Sequence, residues 1–146
     1  MLYLAYGSTL NLEQMRLRCP RAKRVGAFRL NHMKLVFRGV ADIAQEPDAK
    51  IYLGAFEITK DCEQALDSYE GFPNLYTKMF LSIKGERYMT YTMNRDTIAP
   101  PSQGYYDCIR QGYKDFGFSV EPLEQARNNS IFRRTDLDKY RGRQFG

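Results

Sequence analysis

The segment Phe28-Arg29-Leu30-Asn31-His32-Met33-Lys34-Leu35-Val36-Phe37 decides how this chain folds. Its apolar residues alternate as in a strand, but the phase changes midway. Phe28 and Leu30 share one face, while Met33, Leu35 and Phe37 share the other. A strand carries both phases only through a bulge or sharp bend, which places one at Asn31-His32. Bends of this kind are found where sheets curl into barrels.

Upstream, the apolar run Leu2–Tyr6 ends at Gly7-Ser8-Thr9 and predicts a buried strand entering a turn. Asn11 with Gln14 three residues later fits a capping box. Leu12, Met15 and Cys19 then recur on one helical face until Pro20 stops it. Downstream, Ile51–Ile58 is apolar on both faces around Gly54, the pattern of a central strand. Cys62, Ala65, Leu66 and Tyr69 have helical spacing before Gly71 and Pro73. Met79, Leu81 and Ile83 alternate, Lys84-Gly85-Glu86 turns, and Met89, Tyr91 and Met93 alternate again, which predicts a hairpin. After the loop Arg95–Gln103, residues Tyr105, Cys108, Ile109, Gly112 and Phe116 form a last helical face that ends at Gly117. The polar stretch from Ser119 to Gly146 reads as an appended arm or tail with a short helix around Leu123–Arg127. Strands, hairpins and helices are mixed, so the class is α+β.

The 146 residues suit one domain with an ordinary core. Hydrophobic residues are 43% and charged residues 27%, a globular composition without Trp but with 11 Tyr and 9 Phe. No apolar run approaches a membrane span, and the first residues lack the pattern of a signal peptide, so a cytoplasmic protein is expected. The only histidine is His32, and the three cysteines Cys19, Cys62 and Cys108 form no CxxC pair. A structural zinc site is thereby excluded as an expectation, and an odd cysteine count points to three reduced thiols packed as small hydrophobes. Between Arg16 and Arg38 stand eight basic residues and no acid, against a net charge of +5. Such a run suits an anionic small molecule, a nucleic acid or simply a solvated face. No zinc-finger spacing, RNP sequence or GXXG loop accompanies it, so nucleic acid is not the expected partner.

Two places carry chemistry. The turn Tyr6-Gly7-Ser8-Thr9 sits between a buried strand and a helix start, where backbone N–H groups and the helix dipole can hold a carboxylate, phosphate or oxyanion. The alternative is a glycine used for turn geometry alone. The second is Glu70, about 40° from Leu66 on the helical wheel and therefore at the edge of the apolar stripe. Partial burial and the negative end of the helix both raise a carboxyl pKa there, giving a group suited to general acid/base work near neutral pH. The plain alternative is a surface glutamate before a glycine cap. Asp67, one turn earlier, points away from the stripe and reads as solvated.

Tyr6-Gly7-Ser8-Thr9-Leu10, then Leu66-Asp67-x-x-Glu70-Gly71-x-Pro73-x-x-Tyr76, resemble the gamma-glutamylcyclotransferase (AIG2-like) family in order and separation. Arg18-Cys19-Pro20-x-Ala22 with Gly26, Ala41-Asp42-Ile43 after Phe37, Tyr52-x-Gly54 and the Tyr105/Gly112-Tyr113 helix extend the similarity over Met1–Phe118, leaving 119–146 as the arm. The resemblance implies a small curled mixed sheet or barrel with flanking helices. It implies an enzyme that cyclises a gamma-glutamyl group to 5-oxoproline and releases an amine or amino acid, with no metal or cofactor. Glu70 matches the family's catalytic glutamate. Tyr6, Gly7, Ser8, Thr9 and Leu10 match the loop that holds the glutamyl moiety, and Tyr76 and Tyr105 would line the pocket. The family usually has Asn where this chain has Thr9. That departure, with the basic segment, motivates an alternative: a non-catalytic relative holding an anionic small molecule such as a nucleotide. The particular amide and the oligomeric state stay open.

Overall fold

A computed structural model describes residues 1–131; the remainder of the arm expected after Ser119 lies outside the described residues. The chain runs β1 (Leu2–Ala5), a 3-10 turn (Ser8–Leu10), α1 (Leu12–Arg18), β2 (Lys23–Arg38), β3 (Val40–Glu57) and α2 (Lys60–Glu70). It continues through β4 (Tyr76–Ile83), β5 (Glu86–Met93), α3 (Gln103–Phe116) and α4 (Glu121–Ser130). The strands form one sheet in the order β2-β3-β1-β5-β4. β1 is antiparallel to β3 and parallel to β5, and the other pairs are antiparallel hairpins. The sheet curls without closing, because β2 and β4 remain its two edges. The fold is the expected α+β one, in its open-sheet form rather than a barrel.

The phase switch in β2 is a true bulge. The register jumps between Asn31↔Lys50 and Met33↔Gln45, and His32 takes φ 68° with Nδ1 2.6 Å from the Pro47 carbonyl oxygen. Ile51–Glu57 is central, as its two apolar faces require. The strand nevertheless begins eleven residues before Ile51, at Val40, because residues 40–45 pair with β2 and carry the chain out to the bulge, where 46–49 have no partner in the register. The β4–β5 hairpin turns at Lys84-Gly85, both at positive φ (51° and 82°), which suits the twist of a two-residue hairpin loop.

Helix starts and stops follow their local signals. Asn11 and Thr59 accept from the amides of Gln14 and Cys62, at 3.0 and 3.2 Å. Gly71 and Gly117 end α2 and α3 in the left-handed region, at φ 67° and 71°. The expected helix around Leu123–Arg127 is α4, whose Leu123 and Ala126 are buried in the core.

One expectation is overturned. Cys19 and Cys62 are joined in a disulfide across 43 positions of sequence, and only Cys108 is a free thiol. The physical reason is tertiary: the end of α1 lies against the first turn of α2, an adjacency that cysteine spacing does not record.

Candidate active site

The elements converge on a small pocket lined by Tyr3, Tyr6, Gly7, Ser8, Thr9, Ala41, Glu70, Tyr76, Thr90, Tyr91 and Tyr105. Its floor is the end of β1 and the 3-10 turn, whose leading N–H groups have no partners within the turn itself. Gly7 lets the turn pass close to β3: a Cβ there would stand 3.2 Å from Ala41 Cβ, a tight contact, and 3.5 Å from the Tyr105 hydroxyl, an ordinary one. Behind the turn, α3 approaches at Gly112, where a Cβ would come within 2.5 Å of the Asn11 amide nitrogen.

The tyrosines form a fixed polar wall. Tyr76 Oη donates to the Ala41 carbonyl at 2.6 Å, and Tyr105 Oη accepts from the Ala41 amide at 3.0 Å, so one residue of β3 holds two phenols. Ala41 is steadied by its neighbour Asp42, which is buried and accepts from Arg38 Nε (2.7 Å), the Met93 amide (2.9 Å) and Thr92 Oγ1 (3.1 Å). Tyr6 Oη donates to the Tyr91 carbonyl at 2.5 Å, and Tyr3 Oη lies 2.7 Å from Thr9 Oγ1. Burial pushes the hydroxyls of Tyr3, Tyr6, Tyr76, Tyr91 and Tyr105 well above the usual phenol range, so all five are neutral.

Glu70 is the last residue of α2 and the only carboxylate among the lining residues. Burial raises its pKa to about 7, with the nearby Arg18 guanidinium opposing the shift. At neutral pH it is therefore poised to accept or to release a proton.

Of the residues singled out in the sequence, Tyr6, Gly7, Ser8, Thr9, Glu70, Tyr76 and Tyr105 meet around this pocket. Leu10 does not: its side chain is fully buried in the core, lodged against Gly54 and Gly112. Thr9 is buried and satisfied by the Tyr3 phenol. The basic run Arg16–Arg38 is not one face. Arg38 is paired with Asp42 and Lys34 with Glu46, while Arg24 lies over Phe116, 4.0 Å from the ring centroid. Among the described residues no three His, Cys, Asp or Glu side chains converge as metal ligands would.

A family model described as gamma-glutamyl cyclotransferase, AIG2-like, matches residues 3–112. The chain belongs to that family. Among curated proteins it is 28% identical to the gamma-glutamylcyclotransferase of Homo sapiens over 86% of this chain and 77% of that protein. It is 30% identical to the Bos taurus enzyme over 89% and 78%. A solved gamma-glutamyl cyclotransferase superposes with a TM-score of 0.73 at 27% identity, covering 86% of this chain and 85% of that one. An archaeal structure from Pyrococcus horikoshii, at 14% identity and TM-score 0.56, shares the fold. The gamma-glutamyl cyclotransferases are enzymes, and this chain carries their fold; no helix of its described residues is long and apolar enough to cross a membrane.

Sequence reasoning missed Tyr3, Ala41, Thr90 and Tyr91 as lining residues. Thr90 gave no signal, because alternation with Met89 and Tyr91 puts it on the polar face of β5. It is buried and donates to the Leu4 carbonyl at 2.7 Å. Asp67 corrects another expectation. It is half-buried rather than solvated, accepting from Tyr91 Oη at 2.5 Å and Lys78 Nζ at 3.1 Å.

Proposed function

We propose that this chain converts a gamma-glutamyl amide to 5-oxoproline and the free amine, with Glu70 as general acid and base. The observation that carries the reading is a single carboxyl of near-neutral pKa facing a pocket of neutral hydroxyls and turn amides. The reaction needs little more. Held with its alpha-nitrogen against its own gamma-carbonyl, the substrate attacks itself, and effective molarities for such geometry reach about 10⁵–10⁸ M.

The proton balance closes on one residue. Ionised Glu70 takes a proton from the alpha-ammonium, and the amine lone pair then forms the ring C–N bond at the gamma-carbonyl. The negative charge that develops on oxygen faces the N–H groups of the Gly7–Thr9 turn. Glu70 then protonates the leaving nitrogen as its C–N bond breaks, and the second ammonium proton leaves with the product amine in water. Glu70 ends as it began, and no water is consumed. Tyr76, Tyr105 and Tyr6, each fixed by a backbone hydrogen bond, shape the pocket around the glutamyl chain.

The test is release of 5-oxoproline from a panel of gamma-glutamyl amino acids, gamma-glutamyl amines and glutathione. Glu70→Gln should lower turnover roughly 10²–10⁴-fold, the usual worth of a positioned acid/base group. Full activity in that variant, or no product from any compound with wild-type protein, would sink the proposal.

A further inference from the structure

Arg18 closes α1 and reaches the pocket's surroundings through Tyr69 rather than lining the pocket itself. Its guanidinium lies over the Tyr69 ring, 3.8 Å from the centroid, and the Tyr69 hydroxyl is 2.7 Å from Ser8 Oγ. The side chain is exposed. It is also near enough to Glu70 on α2 and Cys108 on α3 to pull both pKa values down against burial. Arg18 thus borders the place where the turn, α2 and α3 meet. Among the described residues it makes no salt bridge, whereas Arg38, Lys34 and Lys78 each hold a carboxylate.

A guanidinium resting on an aromatic face keeps its N–H edge free, already oriented for two parallel bonds to a carboxylate. The proposed reaction defines what arrives there. In that reaction the gamma-carbonyl would sit between the Ser8 turn and Glu70, which both line the pocket, with the leaving nitrogen beside Glu70. A group carried by that nitrogen and directed along Tyr69, the residue before Glu70, would meet the Arg18 guanidinium.

We infer that Arg18, held on Tyr69, is a specificity-determining residue that receives a carboxylate carried by the leaving amine. The pocket therefore favours gamma-glutamyl amides whose leaving group is anionic over the same amides with that charge removed. This rests on the cyclotransferase reading.

The experiment compares gamma-glutamyl-alanine with gamma-glutamyl-alaninamide, which differ only in a carboxylate against a neutral amide. Both are assayed by 5-oxoproline release well above pH 7, where Glu70 is ionised, in wild type, Arg18→Met and Arg18→Lys. Wild type should prefer the carboxylate substrate. Arg18→Met should reduce that preference, as a ratio of kcat/KM, at least tenfold and mainly through KM. Arg18→Lys should recover part of it, because the charge stays while the flat two-pronged edge is lost. Equal losses on both substrates would overturn the inference and leave Arg18 acting only through Glu70. A wild-type enzyme indifferent to the carboxylate would overturn it as well. No product from either substrate would overturn this subsite, and product from another member of the panel would then show that the cyclotransferase reading stands without it.

Discussion

Tyr91 donates its hydroxyl to Asp67 at 2.5 Å, fastening the last turn of α2 to β5 one helical turn before Glu70. The same strand position accepts from Tyr6 Oη through its carbonyl, so a single residue of β5 holds both the helix and the end of β1. Lys78 adds a second tie from β4, reaching Asp67 at 3.1 Å and Glu63 at 2.9 Å. Tyr91→Phe should cost about 1–3 kcal/mol, since it leaves a half-buried carboxylate short of one donor. It should also lower kcat more than it raises KM, because Glu70 loses its bearing while the turn stays in place. Urea unfolding and steady-state kinetics together check this, and unchanged kcat in a destabilised variant would refute the positioning role.

The approach of α3 to the turn yields a steric prediction. A Cβ at Gly112 would stand 2.5 Å from the Asn11 nitrogen and 2.6 Å from the Leu10 carbonyl carbon, both backbone atoms that cannot swing aside. Gly112→Ala should therefore lose about 1–3 kcal/mol by overpacking, although alanine is the better helix former. Arg110→Ala, on the exposed face of the same helix, should stay within about 0.5 kcal/mol of wild type. Thermal melts of the two variants compare them directly.

What was legible depended on whether a signal was local. The bulge at His32 could be read because alternation exposes a slipped phase within one strand. Glu70 could be read because its angle from Leu66 is a property of one helix. Asp67 could not, since a helical wheel shows only its own helix and the partners Tyr91 and Lys78 arrive from β5 and β4. The first part of β3 was hidden for a related reason. Around Glu46-Pro47-Asp48 nothing in composition favours a strand, and only the pairing of Val40–Gln45 with β2 carries the chain out to the bulge. Thr9 hides its compensation as well, because the phenol that satisfies it comes from Tyr3 on β1, through a side-chain contact that no pattern of spacing records.

The Cys19–Cys62 link is another such contact, and it can be tested by its effect on the unfolded chain. Closing a loop of 43 positions should stabilise the fold by about 4 kcal/mol in the chain-entropy account, with measured values for native disulfides of about 2–5 kcal/mol. Cys62→Ser should lower the urea midpoint by the corresponding amount without reductant. Dithiothreitol should lower the wild-type midpoint toward that of the variant and leave the variant unmoved. Identical midpoints for wild type and variant, with and without reductant, would show that the two cysteines are not bonded in solution.

In the proposed reaction Glu70 makes opposite demands on stability and catalysis. Its folded pKa, about 7, lies above the ordinary glutamate value of 4.5, because burial penalises the charged form. Its contribution to stability is then fully present below about pH 4.5 and is lost as pH rises through about 7. A rise from 4.5 to about 7 corresponds to about 3 kcal/mol at most. Glu70→Gln, neutral at every pH, should therefore be more stable than wild type above pH 7 and lose that advantage as the pH falls toward 4.5. Activity should run the other way: kcat/KM should rise with pH up to about 7, because attack in the proposed reaction uses the ionised carboxylate. Arg18→Met removes the charge that opposes the shift, so it should move this limb to higher pH, equally for charged and neutral leaving groups. Denaturation and rate profiles over the same pH range check both halves. A stability difference between wild type and Glu70→Gln that does not vary across this range would show that the carboxyl is not held in its neutral form by the fold.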